Sequence, residues 1–218
     1  MKKIIILIII IALGVFIYQQ NEKSEQTVNV QGEAHEQNND DQDKTDTTVS
    51  FDQSSYMVSA EDTVIKWYGE MVGIKSHEGT FSVKDGSTIA VDEAGSMTGI
   101  IVIDMNSITS DSEQLNGHLL SPDFFDAEQY PEAVLTITSY DPEQKVVVAD
   151  LQMKGISESV MIPVSFAENE SEIIGTGAFE IDRSRWNIQY GSSTFFDDLG
   201  DQVIGDEVDI EFTIVLEK

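Results

Sequence analysis

"EVDIEFTIVLE", residues 207–217, is the stretch whose reading decides the fold. Val208, Ile210, Phe212, Ile214 and Leu216 alternate with Asp209, Glu211 and Thr213. Successive side chains of an extended chain point to opposite faces, so this period of two predicts a strand with one apolar and one polar face. The alternation recurs upstream. "SVMIPVSF" (159–166) places Val160, Ile162, Val164 and Phe166 on one face, and "KVVVADLQMKG" (145–155) does the same with Val147, Ala149, Leu151 and Met153. "GIIVIDM", "AVLTITSY", "DTVIKWYGEM", "GTFSV" and "TIAVD" supply further strands. Turn formers separate them at "KDGS" (84–87), "DPEQ" (141–144) and "ENES" (168–171). Helical periodicity is confined to a segment between about Ser110 and Tyr130. About eight strands joined mostly by short turns predict an all-β domain, either one antiparallel sheet closed into a barrel or a sandwich. Closure would also remove the exposed edges of a long sheet.

Outward from the strands, the 218-residue chain divides into three zones. Residues 1–18, "MKKIIILIIIIALGVFIY", carry two lysines before an unbroken apolar run, the order of an export signal. The small-x-small candidate Ala12-Leu13-Gly14 is followed by more apolar chain, which favours an uncleaved anchor over a cleaved signal peptide. The run is short of the roughly 20 residues of a full span, so Gln19 and Gln20 would sit at the interface. Residues 19–53 are polar and acidic, and such a composition buries too little apolar surface to offset the entropy of ordering; they read as a flexible stalk. Residues 54–218 form the predicted folded domain. This organisation predicts a single-pass protein of the cell membrane with its domain on the outer side, or a secreted one if the signal is cleaved.

Charge and residue inventory exclude several functions. Acidic residues outnumber basic ones 40 to 12, giving a net charge of -28. Binding to a phosphate backbone needs the opposite sign, so no nucleic-acid partner is expected. The absence of cysteine removes thiolate zinc sites, disulfides and a cysteine nucleophile. His77 and His118 stand 41 positions apart with no second histidine near either, so no metal site and no cofactor are expected. No GxSxG elbow is present, and "GTGAF" (175–179) lies within a strand pattern, where glycine marks a bend or bulge.

The remaining signal is the apolar interior. An eight-stranded barrel is either filled by its own side chains or wide enough for one small ligand. Its inward candidates are Ile65, Trp67, Met71, Phe81, Ile101, Ile103, Met105, Leu135, Ile137, Leu151, Met153 and Phe212. Phe124 and Phe125 join them as wedges of a helical crossover at the barrel mouth. Ser121 followed by Pro122 predicts the start of that helix, and Tyr130 before Pro131 its end. Phe195 and Phe196 read as part of a lid, and Arg183 as an ion pair closing the barrel end or as a contact to a ligand headgroup.

"GHLLSPDFFDAEQYPEAVLTITSY" (117–140) resembles the central signature of the YceI-like domain family. "VIDMNSIT" (102–109) before it and "DLQMKGISESVMIPVSF" (150–166), "FEIDRSRWNIQYGS" (179–192) and "IGDEVDIEFTIVL" (204–216) after it are similar to the family's blocks in the expected order. "IKWYGEMVGIKSHEGTFSV" (65–83) resembles the branch with a W-x-G opening and a His-x-Gly-Thr turn. The resemblance implies a lipocalin-like closed antiparallel barrel of about eight strands with a short helical crossover. It also implies an exported protein that is no enzyme and holds an isoprenoid or similar long-chain lipid in its core, with His118, Tyr130 and Arg183 as headgroup candidates. Asn116-Gly117 stands where many members carry Arg-Asp, and Glu158 where a basic residue is usual. The lipid expectation therefore rests on the apolar interior. An acidic cell-surface interaction module without a lipid ligand, and an exported enzyme using His118 and Tyr130, are the alternatives.

Overall fold

The computed structural model describes residue 51, residues 54–71 and residues 75–217. The expected anchor (1–18) and, apart from Phe51, the expected stalk (19–53) lie outside the described residues. Among the described residues there are eleven strands: β1 (Ser54–Val58), β2 (Val64–Met71), β3 (Lys75–Val83), β4 (Thr88–Val91), β5 (Met97–Asp104), β6 (Glu132–Asp141), β7 (Val146–Met153), β8 (Ile156–Pro163), β9 (Ser165–Glu168), β10 (Glu172–Asp182) and β11 (Ile204–Glu217). Among the described residues one α-helix, α1 (Glu113–Leu120), is present and lies between β5 and β6. Among the described residues no helix is long and apolar enough to cross a membrane.

Every ladder among the described residues is antiparallel, and the pairings run round in a ring. β11 pairs with β2, β2 with β3, β3 with β5, β5 with β6, β6 with β7 and β7 with β8. β8 and β9 are one path that changes partner at Val164: β8 pairs with β7, and β9 with β10. β10 then pairs with β11 and completes the barrel. The short strands β1 and β4 fill the space between one end of β11 and half of β5. The predicted closed barrel is therefore present, and its interior is the alternate face read from the sequence. Ala149, Leu151 and Met153 of β7, and Val160 and Ile162 of β8, are buried while their sequence neighbours are not.

Two local expectations are corrected. The glycines of "GTGAF" make no bulge, because β10 and β11 pair without interruption from Glu172↔Glu217 to Asp182↔Glu207. Gly177 is instead a place of close approach: a Cβ there would lie 2.2 Å from the Pro163 carbonyl oxygen and 2.6 Å from the Phe212 ring. The helix also ends, and does not begin, at Ser121. The Ser121 hydroxyl and backbone N–H both donate to the His118 carbonyl, at 2.7 and 3.1 Å, so the serine closes α1. After it the chain turns through Phe124 and Phe125 to Asp126, whose left-handed backbone (φ 50°) and N–H to the Ser121 carbonyl stop any further helix.

The outer face of the β10–β11 ladder carries carboxylates directly opposite each other, Glu180↔Asp209 and Asp182↔Glu207. Facing like charges destabilise a sheet. Partial burial, and then the charges of Glu207 and Asp209, push the Glu180 carboxyl above its ordinary range. A carboxyl raised by folding contributes stability below its unfolded value and loses it as pH rises through the folded one. At neutral pH this ladder is therefore a source of strain that salt relieves. Added sodium chloride should raise the thermal midpoint at pH 7, and Glu180→Gln should raise it without salt and flatten the response, as read by scanning calorimetry.

Glycine positions supply a second test. Gly177→Ala should cost about 2 kcal/mol or more by overpacking. Gly117→Ala, in the middle of α1 with nothing within 4 Å of the added carbon, should stabilise by about 0.5–1 kcal/mol. Urea unfolding of the two variants measures both signs.

Candidate functional site

Inside the ring lies a cavity of about 370 Å³, within the range of small-molecule sites. Its wall is built from the inward positions of the barrel strands. Ile65, Trp67 and Met71 come from β2, Phe81 from β3, Ile101 and Ile103 from β5, and Met105 from the turn after β5. Leu135 and Ile137 of β6, Leu151 and Met153 of β7, and Phe212 of β11 complete the set of interior strand candidates, and each lines the cavity. Phe124 and Phe125, on the turn after α1, line it too, with the Phe125 ring edge-on to Phe81 at 5.9 Å. Phe166, Phe179 and Ile181 are further lining residues.

The cavity survives because backbone, not only side chains, closes the barrel. A Cβ on Gly79 would lie 1.8 Å from the Thr109 carbonyl oxygen. That carbonyl passes over the glycine to accept the Trp67 indole N–H at 3.1 Å. Thr109 N–H donates to the Thr80 carbonyl at 2.9 Å, and Thr80 N–H to the Thr109 hydroxyl at 3.1 Å, so the segment leading into α1 is stitched onto β3. Trp186, fully buried, donates its indole N–H to the Leu151 carbonyl at 3.0 Å. Both large rings are thus oriented by their one donor.

Polar groups in the lining gather among a few residues. His118 sits on α1 with Nε2 3.1 Å from Asp123 Oδ2, and its ring stands edge-on to Phe124 (5.0 Å) and Tyr190 (4.5 Å). His77 reaches the lining from β3, where it faces Gly69 of β2, and its Nδ1 lies 2.7 Å from Asp111 Oδ1. Each imidazole therefore has one nitrogen held by a carboxylate, which fixes the ring and leaves the second nitrogen for another partner. The sequence did not single out His77 as a site residue. Its inward position follows from the β2–β3 register, and the signal was the alternation with Phe81 four positions on.

Arg183 also lines the cavity. Its Nε donates to the Gly205 carbonyl (2.9 Å), Nη1 to those of Ile188 (3.0 Å) and Tyr190 (2.9 Å), and Nη2 to that of Ile204 (3.1 Å). Asp206 Oδ1 lies 3.1 Å from Nη2, within ion-pair range though off the line of a hydrogen bond. Burial draws the guanidinium down from its ordinary pKa, and Asp206 and then Asp182 oppose that shift. With its donors committed to the backbone, Arg183 is a brace that closes the barrel end, and the headgroup expectation for it is corrected accordingly. Tyr130 is corrected as well. It does not line the cavity: its hydroxyl accepts from Gln129 Nε2 at 2.9 Å, and its ring packs against Gly155. Phe195 and Phe196 are exposed and line no part of the cavity, so they form no lid over it.

Thr63 is the one serine or threonine among the described lining residues, and its hydroxyl accepts the Val215 N–H at 3.1 Å. The lining thus places no free serine or threonine nucleophile beside a histidine base. Among the described residues no group of three or more His, Asp or Glu is placed to hold a metal ion.

A closed antiparallel barrel around an apolar cavity with a few polar groups defines the class: the small closed barrels with an internal cavity. Within that class the chain belongs to the YceI-like domain family, whose pattern matches residues 41–216. It is similar to BcnA of Burkholderia cenocepacia, with a TM-score of 0.60 and 25% identity over 72% of this chain and 98% of that one. A polyisoprenoid binding domain from Saccharophagus degradans shares the fold, with a TM-score of 0.57 and 18% identity over 74% of this chain and 97% of that one. The UPF0312 protein plu2095 of Photorhabdus laumondii is 29% identical over 102 residues, 45% of this chain and 50% of the relative. The chain spans about half the length of that curated relative.

The brace is testable. Arg183→Met leaves four carbonyls and Asp206 without their buried partner and should cost about 3–5 kcal/mol. Adding Asp206→Leu should recover part of the loss, because the uncompensated carboxylate goes with it. Denaturant unfolding of the single and double variants measures the coupling.

Proposed function

We propose that the chain is a lipid-binding protein that holds an isoprenoid or similar apolar chain inside the barrel. The single observation that carries this reading is a cavity walled by aliphatic and aromatic side chains in a member of the YceI-like domain family. The Saccharophagus degradans domain of the same fold, a polyisoprenoid binding domain, supports it. The ligand's alternative environment is a bilayer, where its methylenes are already out of water. Transfer into the barrel is then close to balanced, and the fit to the wall decides occupancy. That balance suits a carrier or reservoir. An apolar N-terminal segment acting as anchor, followed by a polar stalk, would hold the barrel near its lipid supply on the outer side of the membrane. His118 and His77 are polar contacts for a headgroup, beside Glu70 and Tyr190 in the same lining.

The acidic β10–β11 face favours a second reading, a surface module for cations or a basic partner. Steep salt dependence of partner capture, with no lipid in the cavity, is its signature.

Solvent extraction and mass spectrometry of the purified chain test the lipid reading. Wild type should yield a bound long-chain lipid or take up a prenyl alcohol, and Ile137→Lys, which sets an ammonium in the cavity wall, should do neither. A wild-type protein that carries no lipid and takes up no prenyl chain overturns the reading.

A further inference from the structure

The loop between the turn at Arg183–Trp186 and β11 exposes three aromatic rings: Tyr190 (45% exposed), Phe195 (39%) and Phe196 (47%). Tyr190 belongs to the cavity as well as to the surface. It lines the wall, and its ring lies 4.5 Å from that of His118 and 5.3 Å from that of Phe124, both lining residues. The wall therefore reaches solvent at Tyr190. The two phenylalanines follow a few residues on, at the end of a turn that is firmly held. The N–H groups of both donate to the Ser192 carbonyl, at 3.2 and 3.1 Å. The Ser192 and Thr194 hydroxyls each donate to Asp206 Oδ2 at 2.8 Å, and Asp206 is the carboxylate paired with the buried Arg183.

A loop free to move would fold such rings back onto the body. Here hydrogen bonds from Ser192 and Thr194 to Asp206 hold the turn that leaves two adjacent phenylalanines partly exposed, and an apolar pair so held offers a contact surface. Two side chains are too few for a stable protein interface, which buries about 800 Å² on each partner. They are enough to enter the headgroup region of a bilayer, where aromatic rings are favoured. The geometry points to a membrane-docking wedge: Phe195 and Phe196 seat the barrel on a lipid bilayer by the same loop that brings Tyr190 to the cavity wall, so that a chain passes between bilayer and cavity without crossing water. This deepens the lipid-binding reading and rests on it. Asp197, Asp198 and Asp201 follow the wedge in sequence. Their charge is repelled by anionic headgroups, so the surface it fits is zwitterionic.

The test compares the full chain with its F195S/F196S variant. Both rings lie outside the cavity wall, so equilibrium binding of a fluorescent polyprenol in detergent micelles should be the same for the two proteins. With both reconstituted in phosphatidylcholine vesicles that carry the polyprenol, loading of the variant should be slower by roughly tenfold or more, from the loss of two partly buried rings. Partial replacement of phosphatidylcholine by phosphatidylglycerol should slow the wild type. A second measurement uses F196W against the buried background of Trp67 and Trp186: brominated phosphatidylcholine should quench the new indole. Equal loading rates from vesicles with intact binding in detergent, or an unquenched indole, overturn the wedge and leave the cavity reading standing. Failure of the wild type to bind polyprenol in detergent overturns the cavity reading itself and the wedge with it. Sedimentation showing a wild-type dimer that F195S/F196S separates would make the pair a contact between copies, and would also overturn the wedge.

Discussion

The barrel depends on one strand changing partner. The path from Ile156 to Glu168 pairs with β7 as far as Pro163 and with β10 from Ser165 onward. Proline has no N–H to donate and sits at the end of the first ladder, while the Val164 N–H turns back to the Lys145 carbonyl at 2.8 Å. For the second ladder to form, β10 must approach this corner closely, and Gly177 permits it. A sheet that failed to turn here would leave β8 and β10 as two apolar edges. Closure also sets the cavity, since the inward faces of β9 and β10 supply Phe166, Phe179 and Ile181 to its wall.

How far the amino-acid sequence foretells this structure differs from element to element. Alternation in "EVDIEFTIVLE" identifies both the strand and its inward face, because one face of β11 meets the cavity while Glu207, Asp209 and Glu211 on the other meet solvent. The interior list follows for the same reason. The helix was harder to place. "SPDFF" carries the local signature of a helix start, yet Ser121 hydroxyl chemistry works equally at a helix end, where it caps the His118 carbonyl. Gly117 weakens the helical signal in the segment that does form α1. Tertiary contacts, with Leu119 buried, outweigh propensity there.

Site residues whose roles depend on register or on distant partners were the least legible. His77 shares the inward face of β3 with Phe81, but its role rests on Asp111, a partner 34 positions away that no local pattern specifies. Arg183 is an arginine in a strongly acidic chain, and the choice between ligand contact and structural brace turns on carbonyls that lie up to 22 positions away. Tyr130 belongs to the recognisable signature stretch but contributes packing outside the cavity. Motif membership locates a fold, whereas a side chain's role depends on where its polar atoms find partners.

β1 and β4 complete the ring of strands where β11 and β5 do not meet, and Ile89 of β4 joins the cavity wall. β1 is held by β4 along Ser54–Met57 and by β11 only at Met57 and Val58. Tension applied to the chain ahead of Ser54 would meet the edge-on packing of the Phe51 ring on Tyr56 and Phe166 and then these few pairings. They would peel one after another while the ladder from β11 through β2, β3 and β5 stayed whole. The first strand is thus a mechanical fuse: a pull strong enough to extend the N-terminal end would lengthen the molecule before it broke the ladders on the far side of the cavity.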